Sequence, residues 1–163
     1  METIENGPMF TINPVIQKEL GSENLKNIIT LSKAIKTEAQ KQQIETHVWL
    51  VGGNVRPEKQ SKIHKDVDLV LYSPSLATEV YVGGDSPKFD VFAAFVQRVV
   101  RNLHWESEIK RPWFNDSESC GDGKVILHTG EKPIEVLPVR QDRFSNSFEN
   151  YQKNETDPFV VIF

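Results

Sequence analysis

The sequence predicts a mixed α/β (α+β) domain in which one β-sheet packs against helices. Two stretches repeat apolar residues every three to four positions, which is the helical period. Short apolar runs at Val48–Val51, Val67–Leu71, Lys124–His128 and Pro133–Val139 have strand length and strand composition. The resulting order, helix–strand–strand–helix–strands, calls for a sheet with helices laid on it. A chain of 163 residues is enough for one domain with a real core. We therefore read 1–163 as a single unit, with an N-terminal arm at 1–20 and a C-terminal tail at 141–163.

Each element has its own warrant. Gly7, Pro8 and Pro14 make residues 1–20 irregular. Ser22 is placed to cap a helix running to about Ile44, with Leu25, Ile28, Ile29 and Ile35 on its buried face. The strand Val48–Val51 ends in Gly52-Gly53, and a polar, lysine-rich segment at 54–65 leads to the strand Val67–Leu71. Pro74–Asp85 reads as a connection with a short strand at Glu79–Val82. Ser86-Pro87 starts a second helix, because proline at the first helical position gives up no needed hydrogen bond. Phe89, Phe92, Ala93, Val96, Val99, Val100 and Leu103 form its apolar stripe. Trp105–Trp113 alternates as a strand would, and Asn115–Gly123, with Cys120, reads as a turn region. Two strands, Lys124–His128 and Pro133–Val139, flank the tight turn Thr129-Gly130-Glu131. The polar stretch Gln141–Pro158 closes on the apolar Phe159–Phe163.

Composition narrows the function classes. A net charge of −4 argues against nonspecific coating of nucleic acid, though not against a local basic groove. The lone Cys120 rules out an internal disulfide and suits a reducing compartment. No apolar stretch approaches the roughly 20 residues that span a bilayer. The acidic N-terminus, METIENGPMF, has no secretory apolar region. A cytoplasmic protein without a membrane partner is the expectation.

Chemistry concentrates in Val48–Tyr72. Glycines at a strand end let backbone N–H groups approach phosphates closely. Asp66 and Asp68 stand two apart on a strand and so project to one side, with Val67 and Leu69 toward the core. Like charges this close repel unless a cation sits between them. Hard carboxylate oxygens suit magnesium. Glu135 interrupts the apolar run Pro133–Val139 and is the candidate third carboxylate of a two-metal arrangement. A D-x-D alone is also an ordinary solvated strand edge. His47, His64, His104 and His128 lack metal-ligand spacing and read as packed or surface residues. Trp105 and Trp113 flank Lys110 and Arg111, an arrangement that fits base stacking or plain packing.

Three blocks stand in order: Val51-Gly52-Gly53-Asn54-Val55-Arg56, Lys65-Asp66-Val67-Asp68-Leu69 and Glu135-Val136-Leu137-Pro138-Val139-Arg140. They resemble the DNA polymerase beta nucleotidyltransferase superfamily, most closely the head domain of the tRNA CCA-adding and bacterial poly(A) polymerase family. The resemblance covers roughly residues 48–72 and 132–140 and implies the nucleotidyltransferase fold. It implies that Asp66, Asp68 and Glu135 hold magnesium, or manganese in its place. Gly52, Gly53, Asn54, Arg56, Lys65 and Arg140 would then contact the nucleotide. The implied reaction is attack of a hydroxyl on the α-phosphate of a nucleoside triphosphate such as ATP, with release of pyrophosphate. The acceptor would be an RNA 3′ end, a small molecule or a protein hydroxyl, and a protein partner or homo-oligomer could supply further surface.

The chain also departs from that family. Pro57 replaces the aspartate that usually follows V-R, Glu58–His64 is polar, and nothing after Arg140 matches the neck helix. Those parts select the base and hold tRNA, so CCA addition does not follow. The departures leave open a catalytically silent protein of the same fold that binds nucleotide, nucleic acid or a protein partner.

Overall fold

A computed structural model of the chain describes residues 18, 20–52, 66–78, 87–114, 120–121, 123–140 and 160–162. Helix α1 spans Ser22–Gln42. Its start differs from expectation by one residue. Gly21, at φ 82°, is the N-cap, and no side chain caps the helix. The Gly21 carbonyl already accepts from Leu25 N–H at 3.1 Å, which leaves Ser22 as the first helical residue. The helix stops before Ile44 because Gln43 turns left-handed, at φ 56°. Gln43 N–H then bonds to the Gln40 carbonyl at 3.2 Å and Ile44 N–H to the Ala39 carbonyl at 3.0 Å. That reciprocal pair satisfies two orphan carbonyls of the last turn.

The strands are β1 (His47–Val51), β2 (Val67–Tyr72), β3 (Glu106–Lys110), β4 (Trp113–Phe114), β5 (Cys120–Gly121), β6 (Lys124–His128), β7 (Ile134–Pro138) and β8 (Val160–Val161). A 3-10 turn, Pro74–Leu76, follows β2, and helix α2 spans Pro87–Arg101. Pro87 is its first residue, as the sequence suggested. Six strands form one mixed sheet in the order β3-β6-β7-β2-β1-β8. The β2–β7 pair is parallel and the other neighbours are antiparallel.

Both helices serve one face of this sheet. Strand alternation sends Val48, Leu50, Val67, Leu69, Leu71, Val125, Leu127, Ile134 and Val136 inward. They meet Leu25, Ile28, Leu31 and Ile35 of α1 and Phe89, Phe92, Val96 and Val100 of α2 in one buried cluster. Phe92 is fully buried at its centre. Phe92→Ala is expected to cost about 3–5 kcal/mol through lost burial and the cavity left behind, read as a shift in urea midpoint at unchanged slope. Asn24 locks the layers together at one end. Its amide nitrogen donates to the Leu20 carbonyl at 2.6 Å, and its oxygen accepts from Lys132 N–H at 3.0 Å in the β6–β7 turn.

The opposite face carries a smaller cluster of Trp49, Tyr72 and Val139, with Val51 and Val70 packed against it. The apolar C-terminal segment docks on this same chain. β8 pairs with Trp49 and Leu50, Ile162 N–H donates to the Val48 carbonyl at 2.8 Å, and Ile162 is buried.

Two other expectations change. The strand foreseen over Trp105–Trp113 breaks at Arg111-Pro112, because proline cannot donate to a ladder. Cys120 lies in β5, paired with Phe114 in a separate two-stranded sheet, rather than in a turn. Most of the N-terminal arm, the strand foreseen at Glu79–Val82 and most of the tail lie outside the described residues, and Lys18 and Leu20, in the arm read as irregular, are helical.

Candidate active site

Strand register assembles the acidic cluster. On β2 the burial alternates, with Val67, Leu69 and Leu71 buried and Asp68 and Val70 half-buried on the other side. Asp68 stands directly opposite Glu135 across the parallel β2–β7 pair and opposite Val51 across the β1–β2 pair. Asp66 lies at the bend just before β2, on the same side as Asp68. Asp66, Asp68 and Glu135 each offer a carboxylate oxygen, and these oxygens lie within 4.8 Å of one another. Among the described residues this is the one group of three acidic, histidine or cysteine side chains so arranged.

The site also contains a residue the sequence reading missed. Lys124 Nζ donates to Glu135 Oε1 at 2.7 Å, with the glutamate side chain 15% exposed and the lysine 32%. A signal for it was present. The Thr129-Gly130-Glu131 turn sets the hairpin register, which pairs Ile126 with Glu135. Lys124 precedes Ile126 by two and so shares its face, diagonal to Glu135. A lysine in a half-buried strand was read only as a strand residue.

Among the described residues, negative charge outweighs positive around Asp68. The Asp68 carboxyl is raised from 3.8 to about 7. Burial is the largest cause, followed by its hydrogen bond to Glu135 and the charges of Asp66 and Glu135. Lys124 pulls the other way without cancelling them. The Lys124 ammonium is itself pushed up, chiefly by its hydrogen bond to Glu135, with burial opposing.

Gly52 closes the site from the β1 side. Its φ is +84°, a conformation that side-chain-bearing residues seldom adopt. A Cβ there would fall on Asp68 Oδ2 and within 3.2 Å of Asp68 Cγ. Glycine is therefore required twice, for the backbone turn and for the close approach of backbone to carboxylate.

The remaining residues named from the sequence divide in two. Gly53, Asn54, Arg56 and Lys65 lie outside the described residues. Arg140 is not brought to the carboxylates. It forms a parallel bridge with Thr78 past the far end of the β2–β7 pair, and its Nε is buried. Strand geometry puts its backbone roughly 16 Å beyond Glu135. Trp105 packs against the main core, Lys110 pairs with Glu108 at 3.0 Å, and Arg111 pairs with Asp90 at 2.8 Å. Packing rather than base stacking accounts for Trp105. His47 contacts Glu45 and His128 contacts Glu108, both away from the acidic cluster.

No family model matches the chain, and no curated protein matches it. No helix among the described residues is long and apolar enough to cross a membrane.

Chemically, the three converging carboxylates could hold a hard divalent cation through oxygen alone, with the Lys124 ammonium beside them. The donor set fits magnesium or manganese and does not fit softer metals, which favour thiolate or imidazole.

Proposed function

We propose that this chain is a magnesium-dependent nucleotidyltransferase with the polymerase beta-like fold. The observation that carries the reading is the Asp68 register. One strand position faces a glycine-ended strand on one side and a lone acidic residue of a parallel strand on the other. Among the described residues the two helices pack on the other face of the sheet, so neither lies over these carboxylates.

Asp66, Asp68 and Glu135 would hold the metal, and the bound metal would supply charge for the triphosphate and for the attacking oxygen. Gly52 brings its backbone against the Asp68 carboxylate with no side chain of its own between them, so a group held by that carboxylate would lie beside the end of β1. The hydroxyl oxygen of the acceptor bonds to the α-phosphorus and releases its proton to solvent, the bond between the α-phosphorus and the α–β bridging oxygen breaks, and pyrophosphate leaves. Positioning and charge neutralisation account for the rate gain. A silent, nucleotide-binding protein is the second reading. It is favoured by the Lys124–Glu135 pair, which already neutralises one of the three carboxylates.

Incubation with magnesium, each α-labelled nucleoside triphosphate and a mixed RNA pool separates these readings. Label is expected on RNA or on protein with the natural sequence and not with the Asp66→Ala/Asp68→Ala variant. Magnesium-dependent nucleotide binding with no transfer would support the silent reading. Neither binding nor transfer would overturn both.

A further inference from the structure

We propose that Lys124 is the resident counter-ion of the carboxylate cluster, and that a divalent cation entering the cluster displaces its ammonium from Glu135. This rests on the reading of Asp66, Asp68 and Glu135 as a metal site. Lys124 comes from a different strand and is not part of that ligand set.

Three observations carry it. The first is contact: Lys124 Nζ lies 2.7 Å from Glu135 Oε1, on a carboxylate that contributes an oxygen to the converging cluster. A carboxylate oxygen bound to a cation at about 2.0–2.6 Å cannot keep a full ammonium bond on the same side. The second is charge. Lys124 is bonded to one of three acidic groups whose oxygens converge, and a divalent ion placed among them would compensate their charge better and repel the ammonium. The third is the exit. The Lys124 side chain is a third exposed and sits on a long flexible stem. Its direct cross-strand neighbour is Lys110, which is engaged with Glu108. A like charge directly opposite gives Lys124 no second anchor. Among the described residues, the bond that holds the lysine is thus to a group that the metal would claim.

Competition has a signature that a merely structural lysine does not. If Lys124 only propped Glu135 in place, its removal would loosen metal binding. If it competes, removal tightens it. Manganese titration without nucleotide, followed by loss of the free-ion paramagnetic signal, reads this directly. Lys124→Met is expected to bind manganese about tenfold or more tightly than the natural sequence, while Lys124→Arg, which keeps the charge, stays near the natural affinity. Lys124→Gln serves equally if the methionine variant does not fold, as checked by circular dichroism. Equal or weaker manganese binding in the folded neutral variants, beside normal binding by the natural chain, would overturn the exchange and leave the metal site standing. No manganese binding by any of the chains would overturn both.

Discussion

Asp68→Asn is expected to stabilise the metal-free protein at pH 8 while abolishing transfer. The sign follows from the raised carboxyl. Asp68 titrates near 7 in the folded chain against an ordinary 3.8, so the folded state holds its proton more tightly than the unfolded state does. Below about pH 4 the group is protonated in both states and costs nothing. As pH rises from there toward the folded value near 7, the penalty grows, and above that value it applies in full. Asparagine never ionises, so it removes the penalty. Because Asp68 is only partly buried, solvent screens the effect, and a gain of about 2–6 °C in Tm in EDTA at pH 8 is the expected size. At pH 5 the gain should be smaller. Magnesium should raise the Tm of the natural chain at pH 8 and leave the variant unmoved. Transfer should fall by on the order of 10³-fold, as when a fixed electrostatic group is lost from the transition state. Melts at two pH values, with EDTA or magnesium, test all of this. A lower Tm for the variant in EDTA at pH 8 would mean that Lys124 outweighs the burial and repulsion acting on Asp68.

Gly52→Ala should damage both the fold and the site. The left-handed backbone at φ +84° costs a residue with a Cβ about 1–3 kcal/mol by itself. The new methyl group would also lie on Asp68 Oδ2. The carboxylate has to move, and the cluster with Glu135 and Asp66 opens. Urea denaturation should show the loss of stability, and manganese titration should show loss of tight binding. A double-mutant cycle isolates the contact. In Gly52→Ala/Asp68→Ala the second change removes the obstructing oxygen, so the combined destabilisation should be less than the sum. Strict additivity would mean that Gly52 matters for its backbone angle alone.

Much of this architecture was legible beforehand because the signals were local. Helical stripes placed α1 and α2 within a residue or two, and Ser86-Pro87 marked the start of α2. The glycine turn between β6 and β7 announced a hairpin, and it is there, with Gly130 at φ +92°. Alternation put Asp68 on the face opposite Val67 and Leu69, which are buried. The signals that failed were those in which neighbouring atoms decide. Ser22 has capping chemistry, but the chain turned one residue earlier, at Gly21. Cys120 sits amid polar, turn-forming residues, yet Phe114 supplies a strand partner. Glu135 was found as an acid interrupting an apolar run, whereas Lys124, its bonded partner, blended into an ordinary strand. Arg140 follows Glu135 closely in sequence, but an extended strand carries it away from the cluster rather than toward it.

The β2–β7 pairing has a kinetic meaning. Asp68 and Glu135 meet only because two parallel strands, separated in the chain by α2 and four further strands, lie side by side. Such a contact closes a long loop before it is rewarded, and it forms late compared with a hairpin such as β6–β7. A growing polypeptide therefore carries Asp66 and Asp68 for some time as unassisted carboxylates, unable to grip a metal until β7 has emerged and docked. On the proposed function, a chain in which β2 and β7 have not paired lacks the three-carboxylate cluster and with it the capacity to consume a nucleoside triphosphate.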